Sequence, residues 1–268
     1  METKAATATG ADEAAKTCVH HPLELYQPEP GCKCGKLRPP RKLHALTGFW
    51  LTLFVTVHLA ICLTGINPHQ YQNTVNLVDR CLSYLPGAML LVVVPLLLQA
   101  ASGVYLVFKE GMKYDIKRCD RGGKLRFFLQ RFSGLAILAF LAIHAGSMYG
   151  WGIGFSHQGT VAHLLGGLPE GNAFSYTASA FRPWTSPAAN LLTIAFLLGG
   201  ILGTAFHVAN GALSGAILWK VVETPQSKAW VEHFCAGLGI LLVAMGTMAW
   251  YGFALSPNVP VALAATGH

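Results

Sequence analysis

Five long apolar stretches constrain the fold more than any other feature of this sequence. They run over residues 43–65, 85–108, 126–150, 188–219 and 229–255. A membrane-spanning helix needs about 20 apolar residues, and hydrocarbon admits only structures that satisfy all of their backbone hydrogen bonds internally. None of the stretches alternates apolar and polar residues as a transmembrane barrel strand does. We therefore predict an all-α polytopic membrane protein in which five transmembrane helices form a bundle.

Composition agrees with this reading. Charged residues make up only 12% of the 268 residues and hydrophobic residues 53%, whereas a soluble domain carries about 25% charged residues. The sequence predicts a polar N-terminal tail (1–42), a five-helix membrane unit (43–255) and a short C-terminal tail (256–268). The first tail has no apolar segment of the kind found in signal peptides. The long connection 151–187 is rich in Gly, Pro and aromatic residues, which predicts a packed cap with a short helix.

Basic residues predict the orientation of the chain. If the helices alternate in direction, 17 of the 19 Lys and Arg residues lie on one side, and only Arg80 and Arg182 lie on the other. The positive-inside rule then puts the N-terminus in the cytoplasm and the C-terminus outside. The net charge of +7 is explained by topology, and no nucleic-acid-binding motif accompanies it. The cytoplasmic residues are Lys4, Lys16, Lys33, Lys36, Arg38, Arg41, Lys42, Lys109, Lys113, Lys117, Arg118, Arg121, Lys124, Arg126, Arg131, Lys220 and Lys228.

Four strongly polar residues lie inside the apolar stretches: His58, Gln99, His144 and His207. Such residues are costly in lipid and usually face the bundle interior for a functional reason. At about 1.5 Å per residue, His58 lies about 22 Å and His144 about 27 Å from the cytoplasmic ends of their helices. Both fall in the outer half of the membrane, whereas Gln99 and His207 fall in the inner half. The sequence therefore predicts two pairs matched in depth.

The outer pair has the chemistry of a haem site. Two imidazoles at equal depth on different helices are the axial ligands that six-coordinate b-type haem needs. Because a Gln carboxamide is a poor ligand for haem iron, we expect no second bis-histidine haem between Gln99 and His207. Pro95 removes a backbone hydrogen bond four residues before Gln99 and is expected to kink that helix. The alternative is that each histidine only forms hydrogen bonds with a neighbouring helix.

The N-terminal tail contains a cluster of cysteine and histidine residues. Thiolate and imidazole together are ligands of zinc and of Rieske-type [2Fe–2S] centres. The spacing differs from the standard Rieske motif, so a tail with scattered cysteines is the alternative. Two of the thiols, Cys32 and Cys34, are the favoured ligands, and Cys119 on the same face is an alternate. The whole set consists of Cys18, His20, His21, Cys32 and Cys34.

Several residues near the cytoplasmic helix ends are candidates for contact with a quinone. Trp and Arg at helix ends are also common as interfacial anchors, which is the alternative for most of the set. His44 and His233 begin helices on the cytoplasmic side and are candidates for either quinone or cluster binding. The quinone candidates are His44, Trp50, Gln130, Arg131 and Trp219.

The residues around these polar positions identify a family resemblance. Residues 43–255 resemble the single-subunit, five-helix cytochrome b membrane anchors of succinate:quinone oxidoreductases and fumarate reductases, which normally hold two haems. Within them, QRFSG and FHVANG are fairly specific to that family. The matching segments are LHALTGFWLTLFVTVHL (43–59), VPLLLQAASGVYL (94–106), LQRFSGLAILAFLAIH (129–144) and GTAFHVANGALSGAILW (203–219).

The resemblance implies a function and a set of ligands. His58 and His144 match the ligands of the distal haem; His207 matches one ligand of the proximal haem, and Gln99 stands in place of its partner. The resemblance implies one haem b and electron transfer from a flavoprotein and an iron–sulfur subunit to menaquinone or another quinone in the bacterial cytoplasmic membrane. Succinate oxidation would occur on the flavoprotein. The chain also resembles variants of the family with a Rieske-like cluster in the anchor.

Two other functions fit parts of the pattern. A b-type cytochrome anchor of another quinone-linked dehydrogenase would use the same intramembrane histidines, although the QRFSG and HVANG strings disfavour it. A transporter or sensor would use the histidines to bind a metal ion. The sequence leaves open the direction of the reaction and whether the whole complex forms a homo-oligomer.

Overall fold

Helices account for every regular element in the described part of the chain. The computed structural model describes residues 39–83, 88–110, 121–149, 173–181 and 186–255. Five of its α-helices, α1, α3, α4, α6 and α7, are long and apolar enough to cross a membrane, which confirms the predicted bundle. The helices are α1 (Pro39–Leu63), α2 (Pro68–Ser83), α3 (Ala88–Glu110), α4 (Arg121–Tyr149), α5 (Ala173–Ser179), α6 (Pro187–Leu218) and α7 (Pro225–Ala254), and a 3-10 turn (Thr64–Ile66) follows α1.

The spanning helices pack around α1 and α6. Helix α1 contacts α3, α6 and α7, while α4 packs on α6 and α6 on α7. Large apolar side chains such as Phe49 and Phe108 are exposed on the outside, as expected of a surface that lipid covers. Small residues allow close approach between helices: a Cβ atom on Gly252 of α7 would lie 2.9 Å from the backbone of Gly65.

The two longest helices begin and end with sequence-encoded caps. Helix α7 begins with a capping box between Thr224 and Ser227, with proline at its first position. Helix α6 ends in a Schellman motif, in which Val221 N–H donates to the Ala216 carbonyl at 2.9 Å. The motif puts Lys220 in the left-handed region, with a φ of 58°.

Two shorter helices, α2 and α5, pack at the end of the bundle where α1 and α7 end. The predicted cap agrees with α5, but α2 was not predicted, because its 16 residues are amphipathic rather than continuously apolar. Tyr71 Oη lies 3.1 Å from Thr177 Oγ1, and the backbone N–H of Ala173 donates to Gln72 Oε1 at 2.7 Å. Both bonds join α2 to α5. The buried side chains of this cap are Tyr71, Val75, Ala173, Phe174, Ala178 and Phe253.

Candidate functional site

The two outer histidines meet inside the bundle. The ring centres of His58 on α1 and His144 on α4 are 6.4 Å apart, and the ring planes are inclined by 76°. Each ring stacks on a phenylalanine one turn earlier on its own helix: His58 on Phe54 at 5.8 Å and His144 on Phe140 at 5.5 Å. The structure thus brings together the pair that the depth argument selected.

The separation of these rings fits a shared metal centre. A bond from a metal ion to an imidazole nitrogen is about 2.0 Å long, and the ring centre lies about 1.1 Å behind that nitrogen. Two imidazoles on opposite sides of one iron atom therefore have centres about 6.2 Å apart. The 6.4 Å between the ring centres of His58 and His144 is close to this distance, and His58 Nε2 lies 3.7 Å from Cys62 Sγ. The donor set, two imidazoles, is that of bis-histidine haem.

Aromatic packing around His144 depends on a glycine. A Cβ atom on Gly200 of α6 would overlap the ring of Phe140, so the absence of a side chain there makes room for that ring. Phe140 also contacts Phe196, with 5.5 Å between the ring centres. One turn after His58 on α1, Cys62 Sγ lies 3.7 Å from His58 Nε2.

Gln99 forms its hydrogen bonds with α1. Its Nε2 lies 3.2 Å from His44 Nε2, and its Oε1 accepts a hydrogen bond from Thr47 Oγ1. His44 Nδ1 lies 3.0 Å from Ser102 Oγ, one turn beyond Gln99 on α3. Gln99 and His207 were predicted to lie at the same depth. The hydrogen bonds of Gln99 described here are made with His44 and Thr47 of α1.

His207 forms its hydrogen bonds with α4. Its Nδ1 lies 3.1 Å from both Ser133 Oγ and the Gln130 carbonyl oxygen. The amide of Gln130 donates to the His207 carbonyl at 3.2 Å and accepts from Asn210 Nδ2 at 2.6 Å. Asn210 Oδ1 in turn accepts from Arg126 Nε. A chain of polar contacts thus runs from His207 to the start of α4.

The two inner histidines occupy equivalent surroundings. Helices α3 and α4 each carry the pattern Gln-x-x-Ser-Gly, at residues 99–103 and 130–134. In both, the serine hydroxyl contacts the histidine Nδ1 and the glutamine Nε2 approaches Nε2, at 3.2 Å for His44 and 3.5 Å for His207. A Cβ atom on the glycine would lie 3.0 Å or 2.9 Å from the histidine Cε1. This repeat was not predicted, although its spacing is visible in the sequence.

These contacts fix the tautomer of both inner histidines. Ser102 Oγ donates to the Leu98 carbonyl at 2.6 Å, so it accepts a hydrogen bond from His44 Nδ1–H. The Gln130 carbonyl beside His207 Nδ1 only accepts. Both neutral imidazoles therefore carry their proton on Nδ1 and a lone pair on Nε2.

Trp50 has a structural partner. Its indole N–H donates to the Leu91 carbonyl of α3 at 2.7 Å. Because Pro95 has no N–H, that carbonyl lacks its usual partner four residues later in the helix, although α3 continues through the proline. The indole thus supplies the hydrogen bond that the proline removes.

The remaining quinone candidates and His233 have contacts of different kinds. The Arg131 guanidinium lies 4.1 Å from the centre of the Phe127 ring. Trp219 is the C-cap of α6, where its N–H donates to the Gly215 carbonyl at 2.9 Å. His233 is exposed, and its Nδ1 donates to the Ala229 carbonyl at 2.6 Å. Of the quinone candidates, only His44 and Gln130 take part in the hydrogen bonds around the two inner histidines.

A groove of about 520 Å³ lies between α4, α6 and α7. It adjoins the inner polar network through Arg126 and Asn210, and Glu232 of α7 also lines it. None of these three residues was selected as a site residue from the sequence. Asn210 lies inside the FHVANG motif, and Arg126 and Glu232 are charged residues near the ends of apolar stretches.

The N-terminal cluster lies outside the described residues. This applies to Cys18, His20, His21, Cys32 and Cys34, and also to Cys119. Within the described ranges, no group of three or more His, Cys, Asp or Glu residues is assembled for a metal ion.

Comparison with known proteins confirms the family resemblance. No protein-family model matches the chain, and no solved structure matches it. The chain is similar to the succinate dehydrogenase cytochrome b558 subunit of Bacillus subtilis (strain 168), with 25% identity over 215 residues. The match covers 80% of this chain and 95% of that subunit, so it includes nearly all of the relative.

Proposed function

From this likeness we propose that the chain is the membrane anchor of a succinate:quinone oxidoreductase. It relays electrons from an iron–sulfur subunit to membrane quinone, and succinate is oxidised on a flavoprotein partner. The observation that carries the proposal is the contact of His58 with His144 in a bundle similar to a succinate dehydrogenase cytochrome b558 subunit.

His58 and His144 would hold one haem b in the outer half of the bundle. The 6.4 Å between their ring centres supports ligation of one iron atom by both. When bound, haem b accepts and donates one electron at a time. The protein orients the ligands: Phe54 and Phe140 stack on the imidazoles, and Gly200 makes room for Phe140.

The inner half would carry no bis-histidine haem. A Gln99 carboxamide is a poor ligand for haem iron, so His207 has no imidazole partner at its depth; Gln99 and Gln130 instead place their amides beside Nε2 of His44 and of His207. Both histidines have their ring nitrogens hydrogen-bonded within the bundle, which lowers the cost of placing them in hydrocarbon.

An iron–sulfur cluster in the N-terminal tail would bridge the inner half of the membrane. The favoured ligands are Cys32 and Cys34 with two histidines, and their side of the membrane is the one that faces the dehydrogenase. The expected test is electron paramagnetic resonance of the dithionite-reduced complex. A Rieske-like signal should disappear in the Cys32→Ser/Cys34→Ser double variant, and an unchanged spectrum would reject these thiols as ligands.

The orientation follows from the basic residues. We propose that the N-terminus and the ends of α3, α4, α6 and α7 that carry Lys and Arg face the cytoplasm of a bacterial cell. This face would receive the acidic or neutral surface of the iron–sulfur subunit. Quinone would be reduced near the same face, where both water and the electron donor are within reach.

The function is tested by expressing the affinity-tagged full chain in its native cell. A flavoprotein and an iron–sulfur subunit should co-purify with it, and the complex should reduce a quinone analogue with succinate but not with formate or hydrogen. A tagged membrane protein without respiratory function serves as the purification control. Co-purification with a hydrogenase or formate dehydrogenase, or purification as a partner-free protein without haem, would refute the proposal.

A further inference from the structure

The imidazole of His58 is contacted from both neighbouring turns of its own helix. One turn earlier, Phe54 stacks on the ring, with 5.8 Å between the ring centres and 21° between the ring planes. One turn later, Cys62 Sγ lies 3.7 Å from His58 Nε2, within hydrogen-bonding distance for a sulfur atom. Residues four apart lie on the same face of an α-helix, so the two side chains flank the imidazole.

These contacts matter because the rotamer of a histidine does not fix the plane of its ring. The torsion about the Cβ–Cγ bond joins a tetrahedral carbon to a planar ring, and its energy well is broad. The imidazole therefore turns about that bond unless its neighbours restrain it. Nε2 lies off the axis of this rotation, at the end of the ring away from the backbone, so a bond to Nε2 restrains the plane directly.

Cys62 is the firmer of the two restraints. The Phe54 side chain is 38% exposed, so protein atoms hold it only in part. Cys62 is half-buried and packs against the buried cluster of the cap formed by α2 and α5, in which Phe253 is 2% exposed. The cysteine is thus held by the cap on one side and contacts the imidazole on the other.

The plane of His144 is set by a separate group of side chains. Its ring stacks on Phe140 with 12° between the planes, and Phe140 in turn packs on Phe196 and fits against Gly200. The two outer imidazoles are therefore oriented by different parts of the bundle. The angle between their planes is 76°, which is close to perpendicular.

We propose that Cys62 is a positioning residue of the outer haem site, which holds the imidazole plane of His58 nearly perpendicular to that of His144. The inference rests on the proposed function and deepens it, because it assigns control of the haem electronics to a residue outside the ligand pair. Groups that contact the ligands of a metal orient them and tune the metal. Cys62 acts in this way through His58.

The angle between the two ligand planes decides the electronic structure of the iron when haem b is bound. Each axial imidazole interacts through its π system with the iron d orbital that is perpendicular to its own ring. Two parallel rings act on the same d orbital and separate it in energy from its counterpart, whereas two perpendicular rings act on both alike. A low-spin ferric haem with two nearly equal d orbitals has an unusually large maximum g value in electron paramagnetic resonance (EPR). The 76° between the rings predicts such a spectrum.

Substitution of Cys62 tests the proposal in the whole air-oxidised complex. Cys62→Ala removes the contact with His58 Nε2. We expect the maximum g value to fall and its EPR peak to broaden, because the ring then samples a wider range of planes. Cys62→Ser keeps a polar group beside the imidazole and should recover part of the wild-type spectrum. Haem content per complex is measured alongside, so that ligand orientation is compared at equal occupancy.

Cys235→Ala is the matched control for the loss of a thiol. Cys235 lies on α7 and lines the groove beside Arg126 and Asn210, away from the cap, so this variant should leave the EPR spectrum unchanged. If Cys62→Ala impairs assembly, Cys62→Val takes its place. Valine fills the space of the thiol but forms no hydrogen bond with Nε2, and the same fall in the maximum g value is expected.

An unchanged maximum g value in the Cys62 variants, at wild-type haem content, overturns the inference. An equal change in Cys235→Ala overturns it too, as does a wild-type spectrum typical of parallel ligand planes. Failure of the proposed function is observed separately. A wild-type complex that contains the haem but does not reduce quinone with succinate refutes that function, while the EPR spectra of the Cys62 variants still decide the positioning role.

Discussion

Replacing Trp50 with phenylalanine removes one hydrogen bond that holds α1 against α3. The indole N–H is the donor to the Leu91 carbonyl at 2.7 Å, and Pro95 leaves that carbonyl without a partner inside its own helix. Trp50 is 40% exposed on the bundle surface, where lipid offers no replacement donor. The variant therefore leaves an unpaired carbonyl in or near hydrocarbon.

The expected loss of stability is about 1–2 kcal/mol. A buried acceptor left unsatisfied costs about 1–3 kcal/mol, whereas hydrogen bonds between membrane helices average about 0.6 kcal/mol and reach about 1.7 kcal/mol. The Leu91 bond should lie in the upper part of the second range, because the proline denies its carbonyl the usual alternative donor. Phenylalanine retains most of the apolar contact area of the indole.

A double-mutant cycle isolates the hydrogen bond from the loss of packing. In Pro95→Ala the new backbone N–H can bond to Leu91, so Trp50→Phe should cost little in that background. The free energy of unfolding is measured by titrating the purified protein in mixed micelles with a denaturing detergent, followed by circular dichroism. We expect a coupling energy of about 1 kcal/mol between positions 50 and 95.

Equal costs of Trp50→Phe in the two backgrounds would refute this reasoning. The indole would then act through packing or as an anchor at the membrane interface, which is the common role of Trp at helix ends. Leu53→Ala, at an exposed position three residues later in α1, serves as the control for a general loss of apolar surface and should show no coupling to Pro95→Ala.

Three further predictions follow from particular contacts. Gly200→Ala should displace the Phe140 ring, which the new Cβ would overlap, and should lower the free energy of unfolding by about 1–3 kcal/mol. The haem absorption band in the difference spectrum should broaden or shift. An unaltered band together with unaltered stability would contradict this prediction. Lys220→Gly should stabilise the chain by about 0.5–1 kcal/mol, because its φ of 58° strains any side chain; a lower melting midpoint would be the opposite result. Tyr71→Phe should destabilise the outer cap by about 1 kcal/mol through loss of its bond to Thr177, seen as faster amide exchange in residues 173–179, and equal exchange would show that the bond is dispensable.

The sequence predicted the bundle because lipid leaves few alternatives. A long apolar run without charges has to be a helix in hydrocarbon, so the five spans agree with the structure to within a few residues at most ends. Helix α2 was missed, since its stripe of apolar residues faces α5 and the cap rather than lipid. The structure of an amphipathic segment of that length between two spans cannot be predicted without knowing the surface on which it packs.

The sequence predicted the contacts of the site only where the depth of a residue in the membrane was enough to identify its partner. Counting residues along helices of opposite direction brought His58 and His144 to one level, and the structure brings their rings into contact. The same count paired Gln99 with His207, but depth says nothing about which face of a helix a residue occupies. The amide in fact bonds to His44, a residue that the depth argument left out because it lies near the end of its helix. Trp50 was selected as a quinone candidate because of its residue type. Its structural role depends on Pro95, 45 positions later, because the indole donates to the carbonyl that this proline leaves without a partner.

The absorption spectrum of the dithionite-reduced complex tests the central claim most directly. One haem b per chain, with the low-spin signature of two axial histidines, is predicted for the wild type. The band should disappear in His58→Ala and in His144→Ala and should persist in His207→Ala, whose imidazole lies in the inner network. A full-strength low-spin band in His58→Ala or in His144→Ala, or its loss only in His207→Ala, would contradict the account.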